Sequence, residues 1–126
     1  MTFGNKYGKK SVNWNVTTKG RDYLSLETLY QLSEPEEIHV MDCLYINDRS
    51  KYGAAPVAGV IRKTAKGFEC CMVNLPKHKL DEVKEMLQDP EAVEAIRDGA
   101  AGFKIYQYTP KGSRQLCYSV EWCDVE

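Results

Sequence analysis

A mainly β fold with one helical insertion is what this sequence predicts, on three observations. Apolar and polar residues alternate with period 2 in several segments between Ile38 and Trp122. Helical spacing with cap signals is confined to the stretch from Leu80 to Gly99. Turn-forming residues separate the alternating segments at short intervals. The 126 residues, 43% hydrophobic and 28% charged, suit one ordinary globular domain with a core of its own.

Residues 1–22 carry Lys6, Lys9, Lys10, Lys19 and Arg21 against Asp22 alone, among Gly, Asn, Ser and Thr. They read as a flexible or loosely docked basic N-terminal arm, with Trp14 as its large aromatic, or simply as a solubilising terminus. Residues 23–126 form the single domain. Tyr23-Leu24-Ser25-Leu26 opens it as a short strand, and Leu26, Leu29 and Leu32 fit either its continuation or a helical turn before Glu34-Pro35. From Ile38 the pattern is a strand, with Ile38, Val40, Leu44 and Ile46 on one face. His39, Met41, Cys43 and Tyr45 take the other, and Asp42 is the exception. Residues 47–53 are turn chemistry, Pro56 to Ile61 a partner strand, Arg62 to Gly67 a second, basic turn, and Phe68 to Val73 another strand.

Leu80, Val83 and Leu87 recur at helical spacing after Pro76. Asp89-Pro90-Glu91 is an N-cap, a first-turn proline and an early acid, and Gly99 is the stop. Phe103 to Tyr108 and Leu116 to Trp122 then pair as a hairpin across Thr109 to Arg114. Phe103 and Ile105 face the core, so Lys104, Tyr106 and Tyr108 face away, and Tyr118, Val120 and Trp122 share the core face of the last strand. Strands, a helical insertion and a closing hairpin are the order of an OB-fold, a five-stranded Greek-key barrel. An α+β sheet with one covering helical layer is the alternative.

Five cysteines, an odd number with no C-x-x-C pair, argue against a secreted disulfide framework. MTFGNKYGKK has no apolar signal core, and no stretch approaches the roughly 18 apolar residues of a membrane span. A cytoplasmic chain with reduced thiols is expected, with no cofactor and no metal, since His39 and His78 do not complete a ligand set. Catalysis is poorly supplied. Both histidines read as surface residues, first-turn acids such as Asp81-Glu82 answer the helix dipole, and no phosphate-loop, nucleophile-elbow or zincin motif occurs. A non-enzymatic role follows.

Binding is better supplied. Single strands are held by cations tracking phosphates and by rings on which bases stack. Arg49, Lys51 and Tyr52 share one turn, and Arg62, Lys63, Lys66 and Phe68 flank the next. Lys104, Tyr106 and Tyr108 share one strand face, with Lys111 and Arg114 in the turn beyond. A net charge of −1, from 17 basic and 18 acidic residues, conceals segregation. Asp81 to Asp98 holds seven acids against Lys84 and Arg97, which leaves the rest of the chain with 15 basic and 11 acidic residues.

The segments Lys51-Tyr52-Gly53 through Pro56-Val57, Asn74-Leu75-Pro76-Lys77-His78 and Gly102-Phe103-Lys104-Ile105-Tyr106-Gln107-Tyr108 resemble small single-stranded-DNA-binding proteins encoded by phages and prophages of Gram-positive bacteria. Tyr118-Ser119-Val120-Glu121-Trp122 continues the likeness. The resemblance implies an OB-fold and a role in replication or recombination, with proteins of those modules as candidate partners. The expectation is therefore sequence-tolerant single-stranded-DNA binding. Arg49, Lys51, Arg62, Lys63, Lys104, Lys111 and Arg114 would contact phosphates, while Tyr52, Tyr106, Tyr108 and Trp14 would stack bases. A free strand edge could pair two copies as a homodimer. Two rivals stand beside it: an interaction or inhibitor module that uses the acidic helical face, and a small hydrolase or metal-dependent nuclease built on paired acids such as Asp42 and Asp48.

Overall fold

Six strands in one open, mixed sheet carry the chain in a computed structural model that describes Val12 and residues 14–49 and 53–126. The elements are β1 (Asp22–Leu24), α1 (Leu26–Gln31), β2 (His39–Asn47), β3 (Ala55–Thr64) and β4 (Gly67–Asn74). A 3₁₀ turn (Lys77–Lys79) follows, then α2 (Leu80–Gln88), α3 (Pro90–Arg97), β5 (Ala101–Tyr108) and β6 (Cys117–Asp124). The expected mainly β fold with a helical insertion is what the chain adopts. The sheet order is β1-β4-β3-β2-β5-β6, with β1 parallel to β4 and every other pair antiparallel. Strands β2 to β4 form a meander, and β5 returns through the helices to lie beside β2, which is Greek-key order. There are six strands where a five-stranded barrel has five; β1 occupies the outer edge of β4, and among the described residues no pairing joins β1 to β6.

Local chemistry explains most element boundaries. Ser25 resolves the ambiguity after β1 in favour of a helix: its hydroxyl accepts the Thr28 N–H at 3.1 Å, and Leu26 and Leu29 turn inward while Leu32 stays 57% exposed. In α3, Asp89 Oδ1 accepts the Glu91 N–H at 3.0 Å, with Pro90 at the first position. The helix ends at Gly99 with φ of 71°. There the Gly99 N–H donates to Ile96 O at 3.2 Å and the Ala100 N–H to Ala95 O at 2.8 Å, the paired bonds of a Schellman stop.

The register of β2 departs from simple alternation at Asp42. Met41 lies opposite Val60 and Cys43 opposite Gly59, so Asp42 is the extra residue of a β-bulge. One inserted residue moves everything after it to the other face. Met41 and Leu44 therefore share the main core with Ala58, Val60, Val73, Val83, Ile96, Phe103 and Val120. Cys43 joins a second cluster with Val57 and Met72, against which Tyr45 packs. Burial pushes the Cys43 thiol up to about 11, so it serves there as a small apolar group. All five cysteines are free thiols.

His39 corrects the expectation of a surface histidine. It is 3% exposed, its ring lies 5.6 Å from that of Phe103, and Nε2 sits 3.1 Å from Ser33 Oγ. The bulge places it on the core side with Met41. Burial lowers its pKa below the ordinary 6.5, against a partial opposing pull from Glu37, whose Oε2 is 3.6 Å from Nδ1. The unfolded chain thus takes up this proton first on acidification. The His39 contribution to stability is complete above about pH 6.5 and falls as pH drops below it. Thermal melts at pH 7.5 and 5.5 are expected to show this loss, and His39→Gln to reduce it. An identical pH dependence in the variant would refute it.

The hairpin is attached to the meander by two residue pairs, His39 with Phe103 and Val40 with Gly102. A side chain at Gly102 would run into His39 O and Ile38 Cγ2, so glycine is what lets β5 approach β2. Beyond Phe103 the hairpin leaves β2 and keeps its own register, with Phe103, Ile105 and Gln107 opposite Trp122, Val120 and Tyr118. The expected inward face of both strands is the observed one.

Candidate nucleic-acid interface

The turns of an antiparallel meander alternate between its two ends, and this decides which expected site residues meet. Arg49 is exposed in the β2–β3 turn, its backbone N–H on Asn47 Oδ1 at 3.0 Å. Lys51 and Tyr52 of the same turn lie outside the described residues, as do residues 1–11 of the expected basic arm. Arg62 and Lys63 stand at the other end of the ten-residue β3. The two clusters are therefore roughly 30 Å of strand apart at about 3.3 Å per residue. No single nucleotide can touch both.

β5 runs antiparallel to β2 from its His39 end, so the β5–β6 turn extends on the side of the β3–β4 turn. The segment after β4 reaches the hairpin from the start of β3. The Leu75 N–H donates to Pro56 O at 2.9 Å, which brings the chain back to the start of β3, and the Lys77–Lys79 turn follows directly. His78 Nε2 lies 2.8 Å from Oγ of the fully buried Ser119, and its ring meets Tyr108 edge-on at 6.4 Å. Tyr106 and Tyr108 stand side by side on the outward face of β5, ring centroids 6.0 Å apart, with Tyr106 43% exposed. Lys111 and Arg114 are exposed in the turn beyond. The 3₁₀ turn and the outward face of β5 thus gather Lys77, His78, Lys79, Tyr106 and Tyr108, with Lys111 and Arg114 in the hairpin's own turn. Arg49 lies beyond the opposite, Asn47 end of β2.

Two of the expected phosphate-binding cations are partly neutralised. Lys104 Nζ is 3.4 Å from Glu36 Oε2, and Arg62 is 3.9 Å from the Glu69 carboxylate across the β3–β4 pair. Among the described residues Arg49, Lys63, Lys111 and Arg114 pair with no carboxylate. Trp14, expected as a stacking ring, is half-buried against both apolar clusters, with the Arg97 guanidinium 5.9 Å over its ring. Arg21, assigned to the arm, is a buried structural residue: its guanidinium grips both Asp42 oxygens at 2.9 and 2.7 Å. That ion pair also occupies the carboxylate a nuclease reading would need. Among the described residues no three His, Cys, Asp or Glu side chains gather as a metal-ligand set. No helix there is long and apolar enough to cross a membrane.

Comparison with protein-family models, curated proteins and solved structures finds no match.

Sequence reasoning does not connect the Lys77–Lys79 turn with the tyrosines. A signal is nevertheless present. Helix N-termini favour acids, yet three basic residues in succession precede the acidic first turn of α2. Lys79 finds its own compensation in Glu82, at 3.0 Å, and Glu82 also accepts the Trp122 Nε1–H at 3.4 Å. The Lys79 hydrogen bond, helped by that of Trp122, holds the Glu82 carboxyl below its usual range.

Proposed function

We propose that this chain is a non-catalytic, sequence-tolerant single-stranded-DNA-binding domain of OB type, acting in phage or mobile-element replication or recombination. The observation that carries the reading is the junction of a basic 3₁₀ turn with two outward tyrosines of β5, beyond which lies the cationic β5–β6 turn. Cations for phosphates and accessible rings for bases are what a single strand requires. The OB reading is supported by the sequence of meander, helical insertion and hairpin, with the hairpin's first strand beside the meander's first. In such folds oligonucleotides lie against inter-strand loops and an exposed strand face. The phage setting rests on the sequence resemblance alone.

Fluorescence anisotropy with labelled 12-mers of single-stranded DNA, duplex and RNA at two salt concentrations tests this. Single-stranded DNA is expected to bind more tightly than duplex. Tyr106→Ala and Tyr108→Ala are each expected to weaken binding by about tenfold. Lys111→Ala with Arg114→Ala is expected to flatten the salt dependence, by about 0.7 in log–log slope for each phosphate that is no longer neutralised. Unchanged affinity in the double tyrosine variant would sink the stacking assignment.

A second reading, a protein-interaction module, is favoured by the exposed acids of α2 and α3, whose apolar residues Val83, Val93 and Ile96 all turn inward. A stoichiometric basic partner together with no DNA binding at low salt would select it.

A further inference from the structure

A second feature lies beside these tyrosines, at the edge strand β6. Lys79, Tyr106, Glu121 and Trp122, together with Val120, line an open cleft of about 470 Å³. That lies within the roughly 300–1,000 Å³ of small-molecule sites. Three separate elements supply the walls: the 3₁₀ turn, β5 and β6. Two of the walls are pinned from behind, because Glu82 holds both Lys79 Nζ and Trp122 Nε1. The Trp122 ring is braced edge-on against Phe103 at 6.3 Å. Tyr106 remains accessible as a stacking surface.

Glu121 is the informative residue. It is exposed, lies opposite Lys104 in the β5–β6 register, and makes no side-chain hydrogen bond or ion pair among the described residues, since Lys104 is turned to Glu36. A carboxylate beside a phosphate-binding surface repels the phosphate, so a backbone-only site gains nothing from it. A carboxylate accepts hydrogen bonds and donates none, and among bases it pairs with the exocyclic amine of cytosine. Thymine offers only carbonyl oxygens at the corresponding position.

We infer that the cleft between Lys79, Tyr106, Glu121 and Trp122 is a single-base pocket that takes an amino-bearing base, cytosine before thymine, with Tyr106 stacking on it and Glu121 accepting from its amine. This rests on the single-strand reading above and adds a base preference to it.

The test is anisotropy with dC and dT 12-mers at pH 8, where cytosine is neutral, on the full chain and on Glu121→Gln. The wild type is expected to favour dC by roughly tenfold, the discrimination of one good base contact. Glu121→Gln supplies a donor as well as an acceptor and is expected to bring the two affinities to within about twofold, mainly by tightening dT. Glu121 is exposed, so the variant is expected to melt like wild type. Equal dC and dT binding by the wild type, or an unchanged ratio in Glu121→Gln, overturns the pocket while leaving tyrosine-dependent binding intact. No binding of either oligonucleotide at low salt overturns the pocket and the single-strand reading together.

Discussion

Asp42→Ala is expected to cost about 3–5 kcal/mol of folding stability, the penalty for leaving a buried charge without its partner. Arg21 and Asp42 have side chains only 8% and 12% exposed and are joined by two parallel hydrogen bonds. Asp42 raises the Arg21 pKa through that bond, and because a guanidinium keeps its charge even without such a partner, Arg21 is left charged when the carboxylate goes. The pair is also built into the backbone. Asp42 is the bulge residue, and its carboxylate, Cys43 Sγ and Arg21 all crowd the space above Gly59 where any other residue would place a Cβ. Arg21 Nε donates in addition to Thr17 O at 2.9 Å, tying the segment before β1 to the sheet. Chemical denaturation of Asp42→Ala, Arg21→Met and the double variant checks this. The double variant is expected to recover part of the loss, since it leaves no unpaired charge. Additive losses would show that the two side chains act separately. A loss under about 1 kcal/mol in Asp42→Ala would show that water solvates the site.

How far the sequence announces this architecture depends on the range of the interaction. The α3 caps are local, and Asp89, Pro90 and Gly99 do what their types imply. The faces of β5 and β6 follow from unbroken period-2 alternation, which their register preserves. The bulge is visible in sequence only as the misfit of Asp42, because its effect depends on Gly59 from another strand. His39 misleads for the same reason: parity counted across a bulge assigns the wrong face. The site divides similarly. Arg62 and Lys104 are legible as cations, but their partners Glu69 and Glu36 come from elsewhere in the chain. Spacing within a strand cannot show that Arg49 and Lys63 lie at opposite ends. Nor can it show that the Lys77–Lys79 turn meets Tyr108 and Ser119, which are distant in sequence and reach it only through the hairpin.

Phe103→Ala carries the other large expectation, a loss of about 3–5 kcal/mol. Phe103 is fully buried and stands at the junction of three strands. It lies opposite His39 on β2 and Trp122 on β6, and its ring meets both of theirs, at 5.6 and 6.3 Å. Since two ladder pairs join the hairpin to the meander among the described residues, truncating one of them removes part of what orients Tyr106, Tyr108 and the β5–β6 turn. Against a total of about 5–15 kcal/mol for a domain of this size, the variant is expected to be folded but marginal. Tyr106→Ala, on the outward face of the same strand, is the matched control and is expected to stay within about 0.5 kcal/mol of wild type. The two substitutions thus separate scaffold from surface. Phe103→Ala is expected to lower the melting temperature and, at a temperature where it remains folded, to weaken oligonucleotide binding through a misplaced hairpin. Tyr106→Ala is expected to weaken binding alone. If Phe103→Ala binds oligonucleotide as tightly as wild type while folded, the hairpin is not the element that positions the site, and the cationic turns of the meander must suffice.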